Sequence, residues 1–192
     1  MDVLEQEFRK RPNNPRALLY YINHLLEKGH YLEANYYLEN YIEKNRPTLE
    51  ILIEYFKIKV NKFCGRKIED RKIEDIEKLL KKYNISKEDL YTLHLLYYYT
   101  FGYLKKMEEV LDFLLDIPIS NSKMGKFRVE LIIDSLFLLL RYKRGYNQLN
   151  KFIKYYFPYL KVGDTIQKRI KKFLIKRLYE LILIQYKRLK DG

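Results

Sequence analysis

A single cysteine, Cys64, stands in 192 residues, so no internal disulfide can form, which fits a chain that folds in a reducing compartment. Histidine is almost as scarce. His24, His30 and His94 do not fall at metal-ligand spacing and Cys64 has no ligand residue close by, so no zinc site is expected. The acidic pairs Glu69-Asp70 and Glu74-Asp75 come nearest to a Mg²⁺ site, but Arg and Lys flank both. Missing too are a Gly-rich phosphate loop, a Gly-x-Ser-x-Gly elbow and any other nucleophile signature. The expectation is a protein that is not an enzyme, with no catalytic residue, no metal and no cofactor. Asp134, set among apolar residues, is the one carboxylate singled out, and its ordinary fate is a hydrogen bond or a place toward solvent.

Glycine and proline are few, at 7 and 5, tryptophan is absent, and no alternating strand pattern bounded by turns occurs. An all-α fold follows. Long apolar runs are lacking as well: Leu131 to Leu140 is interrupted by Asp134, and Leu178 to Ile184 falls far short of the roughly 20 residues a bilayer requires. Met1 to Glu7 carries neither a basic start nor an apolar stretch, so it does not read as a secretory signal, and a soluble, cytoplasmic protein is expected. The sequon Asn84-Ile85-Ser86 then carries no glycan. What is abundant is Lys, Glu, Ile and Tyr, a bias that suits a thermophile or an AT-rich genome. An apolar content of 47% is ample for one domain spanning 1–192.

Helical spacing organises the chain. Val3, Leu4 and Phe8 make a short first helix. Pro12, Asn14 and Pro15 start a second, in which Leu18, Tyr21, Ile22 and Leu25 share a face and Gly29 permits the left-handed stop. Tyr31, Ala34, Leu38, Tyr41 and Ile42 form the next stripe, ended by Asn45 and Pro47. Leu49, Leu52, Ile53, Phe56 and Val60 mark a further helix before Gly65, and a duplicated Arg-Lys-Ile-Glu-Asp leads into a helix over Ile73 to Tyr83. Ser86, with Asp89 three residues on, caps a helix reaching Phe101. Gly102 turns into Met107–Leu115, ended by Pro118. Ser120, Asn121 and Ser122 can cap a wide apolar helix over Lys123 to Tyr142. Gly145-Tyr146 turns into Leu149–Phe157, and Asp164 caps a terminal helix reaching Lys190.

Gly29-His30-Tyr31-Leu32-Glu33-Ala34 resembles the Gly-x-Tyr-x-x-Ala turn of a tetratricopeptide repeat, an antiparallel helix pair of about 34 residues. Leu18, Tyr21, Leu25, Leu38 and Pro12 match the repeat's apolar and proline positions. Ile22 and Tyr41 depart from it, standing where small residues are usual. The glycines at 29, 65, 102 and 145 are spaced by 36, 37 and 43, an irregular repetition. The resemblance implies a right-handed TPR-like α-solenoid of about four helical hairpins, with a short N-terminal helix and a long basic C-terminal helix. It also implies a peptide or partner helix held in a groove, for which Tyr20, Asn23 and Glu27 are the candidates. Tyr97, Tyr98 and Tyr99 are further candidates to line it.

Charge is unevenly spread. Residues 1–122 hold 20 basic and 20 acidic side chains, while residues 123–192 hold 18 and 5, so the whole excess of +13 lies in the last third. Such asymmetry points to nucleic acid, an acidic protein surface or an anionic membrane, or merely to a solvated end cap. Lys168, Lys172 and Lys176, with Arg169 and Arg177 beside them, are the candidate anion or nucleic-acid contacts. Lys143, Arg144, Lys151 and Lys154, interleaved with tyrosines, extend them. Ile166, Ile170, Phe173, Leu174, Leu178, Leu181 and Ile182 form the opposite, packing side. An adaptor that binds a protein or peptide is the first expectation, and RNA or DNA binding through residues 123–192 the second.

Overall fold

The computed structural model describes residues 2–61, 70–118, 124–156 and 165–191. All regular structure among them is helical, and the helices fall into two compact units, Met1–Phe101 and Gly102–Gly192. Cys64, Gly65, the first copy of the duplication, the Ser120–Ser122 caps, Pro158 and the Asp164 cap lie outside the described residues.

In the first unit α1 (Val3–Lys10) begins at Asp2, whose side chain accepts from the Leu4 N–H. Helix α2 (Pro15–Glu27) starts where expected: the Asn14 side chain accepts from the Arg16 and Ala17 N–H groups at 3.0 and 3.1 Å, and Pro15 occupies the first turn. It ends at Gly29, φ 78°, where the His30 and Gly29 N–H groups return to the Leu25 and Leu26 carbonyls. Antiparallel α3 (Tyr31–Lys44) follows at once. Leu18, Ile22, Ala34 and Leu38 are fully buried between the two helices, and Ala34 is the small residue at their approach. Phe8 of α1 stacks on Tyr21 at 5.2 Å and meets Tyr37 edge-on at 5.3 Å, which closes that end of the core.

Helix α4 (Leu49–Lys59), capped by Thr48, buries Ile51 and Ile58 in addition to the expected Leu52, Ile53 and Phe56. The single stripe is too narrow because α4 packs against α3, α5 (Asp70–Lys82) and α6 (Lys87–Phe101). Helix α5 buries Ile73, Ile76 and Leu80 and stops at Asn84 in the left-handed region, and the Ser86 side chain accepts from the Asp89 N–H at 3.2 Å to open α6.

In the second unit α7 (Leu104–Leu115) follows Gly102, and the expected apolar face of α8 (Gly125–Arg141) is buried, with Leu131, Ile132, Ser135, Leu136, Leu139 and Leu140 inside. Between α8 and α9 (Tyr146–Lys151) the turn uses two left-handed residues. Lys143, φ 57°, ends α8, with the Arg144 N–H reaching the Leu139 carbonyl; Gly145, φ 79°, begins α9. Only glycine fits there, since a Cβ would lie 2.9 Å from that of Leu139. A π-helical turn, Phe152–Tyr156, continues α9 and brings the buried Tyr156 hydroxyl within 2.6 Å of the Leu114 carbonyl and 3.0 Å of that of Ile117.

Helix α10 (Thr165–Asp191) packs on α8 through Ile170 and Phe173, the latter edge-on to Phe137 at 4.5 Å. Ile182, expected on the packing side, is instead 64% exposed. Ile170 and Phe173 are one step of three apart, and at 100° per residue position 182 falls on nearly the opposite side of the helix from them. Ile182 joins Ile175, Tyr179, Tyr186 and Leu189 on an exposed row. The side chains of Ile166, Leu178 and Leu181 lie outside the described ones.

Candidate functional site

Core packing turns one face of α2 inward and leaves the other bare. Tyr20 is 63% exposed, and Asn23 and Glu27 follow it at helical spacing, both exposed. The three therefore form one accessible row. Tyr20 also borders a cavity of about 360 Å³ between α1 and α2, with Leu4, Glu7, Arg11, Arg16 and Ala17; Asn23 and Glu27 lie beyond it. Tyr21, next to Tyr20, belongs to the core, and Tyr97, Tyr98 and Tyr99 are each half-buried.

The five cations singled out on α10 separate into two kinds. Lys168 and Lys172 are exposed, with no carboxylate in ion-pair range among the described residues. The other three are engaged within the unit. Arg169 pairs with Asp134, Lys176 lies 5.5 Å over the Phe137 ring, and the Arg177 guanidinium lies 4.3 Å over Tyr146. Burial pushes the Asp134 carboxyl above its ordinary range, with Arg169 pulling the other way and Glu130 adding to the rise.

A similar sorting applies around α9. Arg144 pairs with Glu108, and Lys151 lies 3.4 Å from Asp116 and 3.7 Å from Asp112. Gln148 donates to Asp112 at 3.1 Å. The acidic row Glu108, Asp112, Asp116 at intervals of four was readable as a basic-partner face of α7, and it takes up two of the cations assigned to an anion surface. Lys154 lies against Tyr155, and Lys143 has no ion pair among the described residues.

A larger cavity of about 650 Å³ opens where α10 passes the α8–α9 turn. One wall is Leu140, Arg141, Lys143 and Tyr146, and the other is Glu180, Leu183, Lys187, Arg188 and Asp191. Arg141, Lys187 and Arg188 were not singled out in the sequence. Their only signal is two short basic runs, 141–144 and 187–190, that are 43 residues or more apart. Each of the four cations is exposed, and none has an ion pair among the described residues. Beneath them, Oε2 of Glu180 and Nη1 of Arg177 are buried without a hydrogen-bond partner among the described residues.

The histidines each face a carboxylate: His24 faces Asp2, His94 lies 2.6 Å from Glu77, and His30 lies 4.0 Å from Glu33. No group of three metal-ligating side chains occurs among the described residues, and none of their helices is long and apolar enough to cross a membrane.

Comparison with family models, curated proteins and solved structures returned no match. The likeness of the α2–α3 hairpin to a tetratricopeptide repeat therefore stands on its own residues.

Proposed function

We propose that this chain is a non-enzymatic interaction module, a TPR-like solenoid that holds a peptide or partner helix along the exposed row of α2. One observation carries the reading. Leu18, Ile22 and Leu25 anchor α2 in the core, so Tyr20, Asn23 and Glu27 are presented on a rigid helix with their side chains free to meet a ligand. Asn23 supplies a donor and an acceptor for a peptide backbone, Tyr20 an aromatic wall, and Glu27 a charge that selects basic residues. Selection of a random peptide library on the purified protein, repeated with Tyr20→Ala/Asn23→Ala, tests it. Peptides that lose binding in the double variant are expected. Enriched peptides indifferent to it would remove the groove.

A second reading is RNA or DNA binding through residues 123–192, favoured by the exposed Lys168 and Lys172, which have no ion pair among the described residues, on a helix rich in cations. Anisotropy of labelled single-stranded RNA and duplex DNA at 50 and 200 mM salt checks it. About six phosphate contacts imply roughly a thousandfold loss across that range. Absence of binding at the lower salt would exclude it.

A further inference from the structure

The 650 Å³ cavity of the second unit has the size and the chemistry of a small-ligand site. Arg141, Lys143, Lys187 and Arg188 come from two segments distant in sequence yet border one opening; Glu180 and Asp191 line it too, but no ion pair joins them to the four among the described residues, and cations outnumber carboxylates there by four to two. Like charges gathered at one concavity repel each other unless an anion joins them. Lys168 and Lys172 are also without an ion pair among the described residues, but they border no cavity, so what sets these four apart is that they share one opening. Backbone geometry adds to this, since Lys143 takes the left-handed conformation that glycine or asparagine ordinarily supplies. Lys143 in this conformation is one of the residues lining the cavity. Behind the cations lie Leu140, Leu183 and Tyr146, whose apolar surface offers nothing to a bare inorganic ion.

We propose that this cavity binds a small phosphate ester of nucleotide size, its phosphates met by Arg141, Lys143, Lys187 and Arg188 and its organic part lying against Leu140, Leu183 and the Tyr146 ring. Guanidinium groups suit phosphate oxygens because they donate two parallel bonds, and lysines add point charge. The site is independent of the peptide reading, which uses α2.

The test is a titration of the whole chain with trinitrophenyl-ATP, followed by fluorescence at 50 mM salt, with displacement by unlabelled ATP, pyrophosphate, a single-stranded RNA oligomer and phosphatidylglycerol vesicles in separate arms. Lys187→Glu/Arg188→Glu is compared with Lys105→Glu/Lys106→Glu on α7, which makes the same change of charge on exposed residues that do not line the cavity. Saturable one-to-one binding is expected, displaced by ATP at least tenfold more effectively than by pyrophosphate. It should weaken at least tenfold in the cavity variant and stay within twofold in the other. Equal weakening in both variants, no saturation, or displacement by RNA or vesicles but not by ATP would overturn the proposal. Far-ultraviolet circular dichroism confirms that both variants remain helical.

Discussion

Tyr156→Phe isolates one hydroxyl. Tyr156 is 2% exposed, and its ring stacks near Phe152 with centroids 6.0 Å apart, so phenylalanine fills the same volume in the same contacts. What is lost is the donor to the Leu114 carbonyl at 2.6 Å, with the Ile117 carbonyl close at 3.0 Å. Leu114 O keeps a second donor, the Ile117 N–H at 3.3 Å, so the penalty stays below that of a fully orphaned acceptor. A net hydrogen bond is worth about 0.5–1.5 kcal/mol and an unsatisfied buried group costs about 1–3, which sets the expected loss at about 1–2 kcal/mol. With a urea slope of about 2 kcal/mol/M the midpoint should fall by about 0.5–1 M at unchanged slope. Circular dichroism at increasing urea measures it, beside Tyr156→Leu, which also removes ring packing and should fall further. An unchanged midpoint for Tyr156→Phe, or equal losses for both variants, would refute the capping role of the hydroxyl.

Other expectations concern backbone and charge. Gly145→Ala should destabilise more than Gly29→Ala, because both share a positive φ worth about 1–2 kcal/mol but only Gly145 adds a 2.9 Å contact with Leu139; thermal melts that rank them the other way would contradict the geometry. Burial would raise the Glu39 carboxyl, yet Lys59, Tyr55 and Asn35 outweigh it and hold it below its ordinary 4.5. Its contribution to stability is therefore present above that value and lost as pH falls through the lowered one, so Glu39→Gln should flatten the acid limb of a stability–pH curve. For Asp134 the sign reverses: the carboxyl is raised, chiefly by burial, so its stabilising contribution is present at low pH and lost as pH rises through the raised value. Asp134→Asn should then be at least as stable as the native chain at pH 7, with the difference vanishing in acid. A lower melting temperature at pH 7 would show that the Arg169 pair outweighs burial.

Local features were legible because their causes are local. Pro15, Asn14, Gly29 and Ser86 act within four residues of the helix ends they define, and each is found doing so. The second face of α4 was not legible, since α4 packs against three helices at once, with Ile51 and Ile58 joining the α2–α3 core, and no single period encodes that. On α10 the interval of four linking Lys168, Lys172 and Lys176 reads as one surface. Which of its cations remain free depends on Phe137, Tyr146 and Asp134, supplied by other elements. The larger cavity is hidden for the same reason, as its two walls are brought together only when α10 packs beside α8.

The two units differ in how far along the chain each helix finds its neighbours. In the first, α1 meets α2, α2 meets α3, α3 meets α4 and α4 meets α5, with the packing of α6 on α4 skipping a helix, so nearly every packing partner is the next helix to leave the ribosome. In the second, α9 returns to α7 and α10 returns to α8, and the end of α7 waits for a hydroxyl 42 residues downstream. Long loops must therefore close before contacts reward them in the second unit, while in the first a short closure is rewarded almost at once. During synthesis the N-terminal helices can be consolidated while the C-terminal ones are still exposed, and a chain released before α10 is complete would present the apolar surface of α8 around Phe137 to any chaperone at hand.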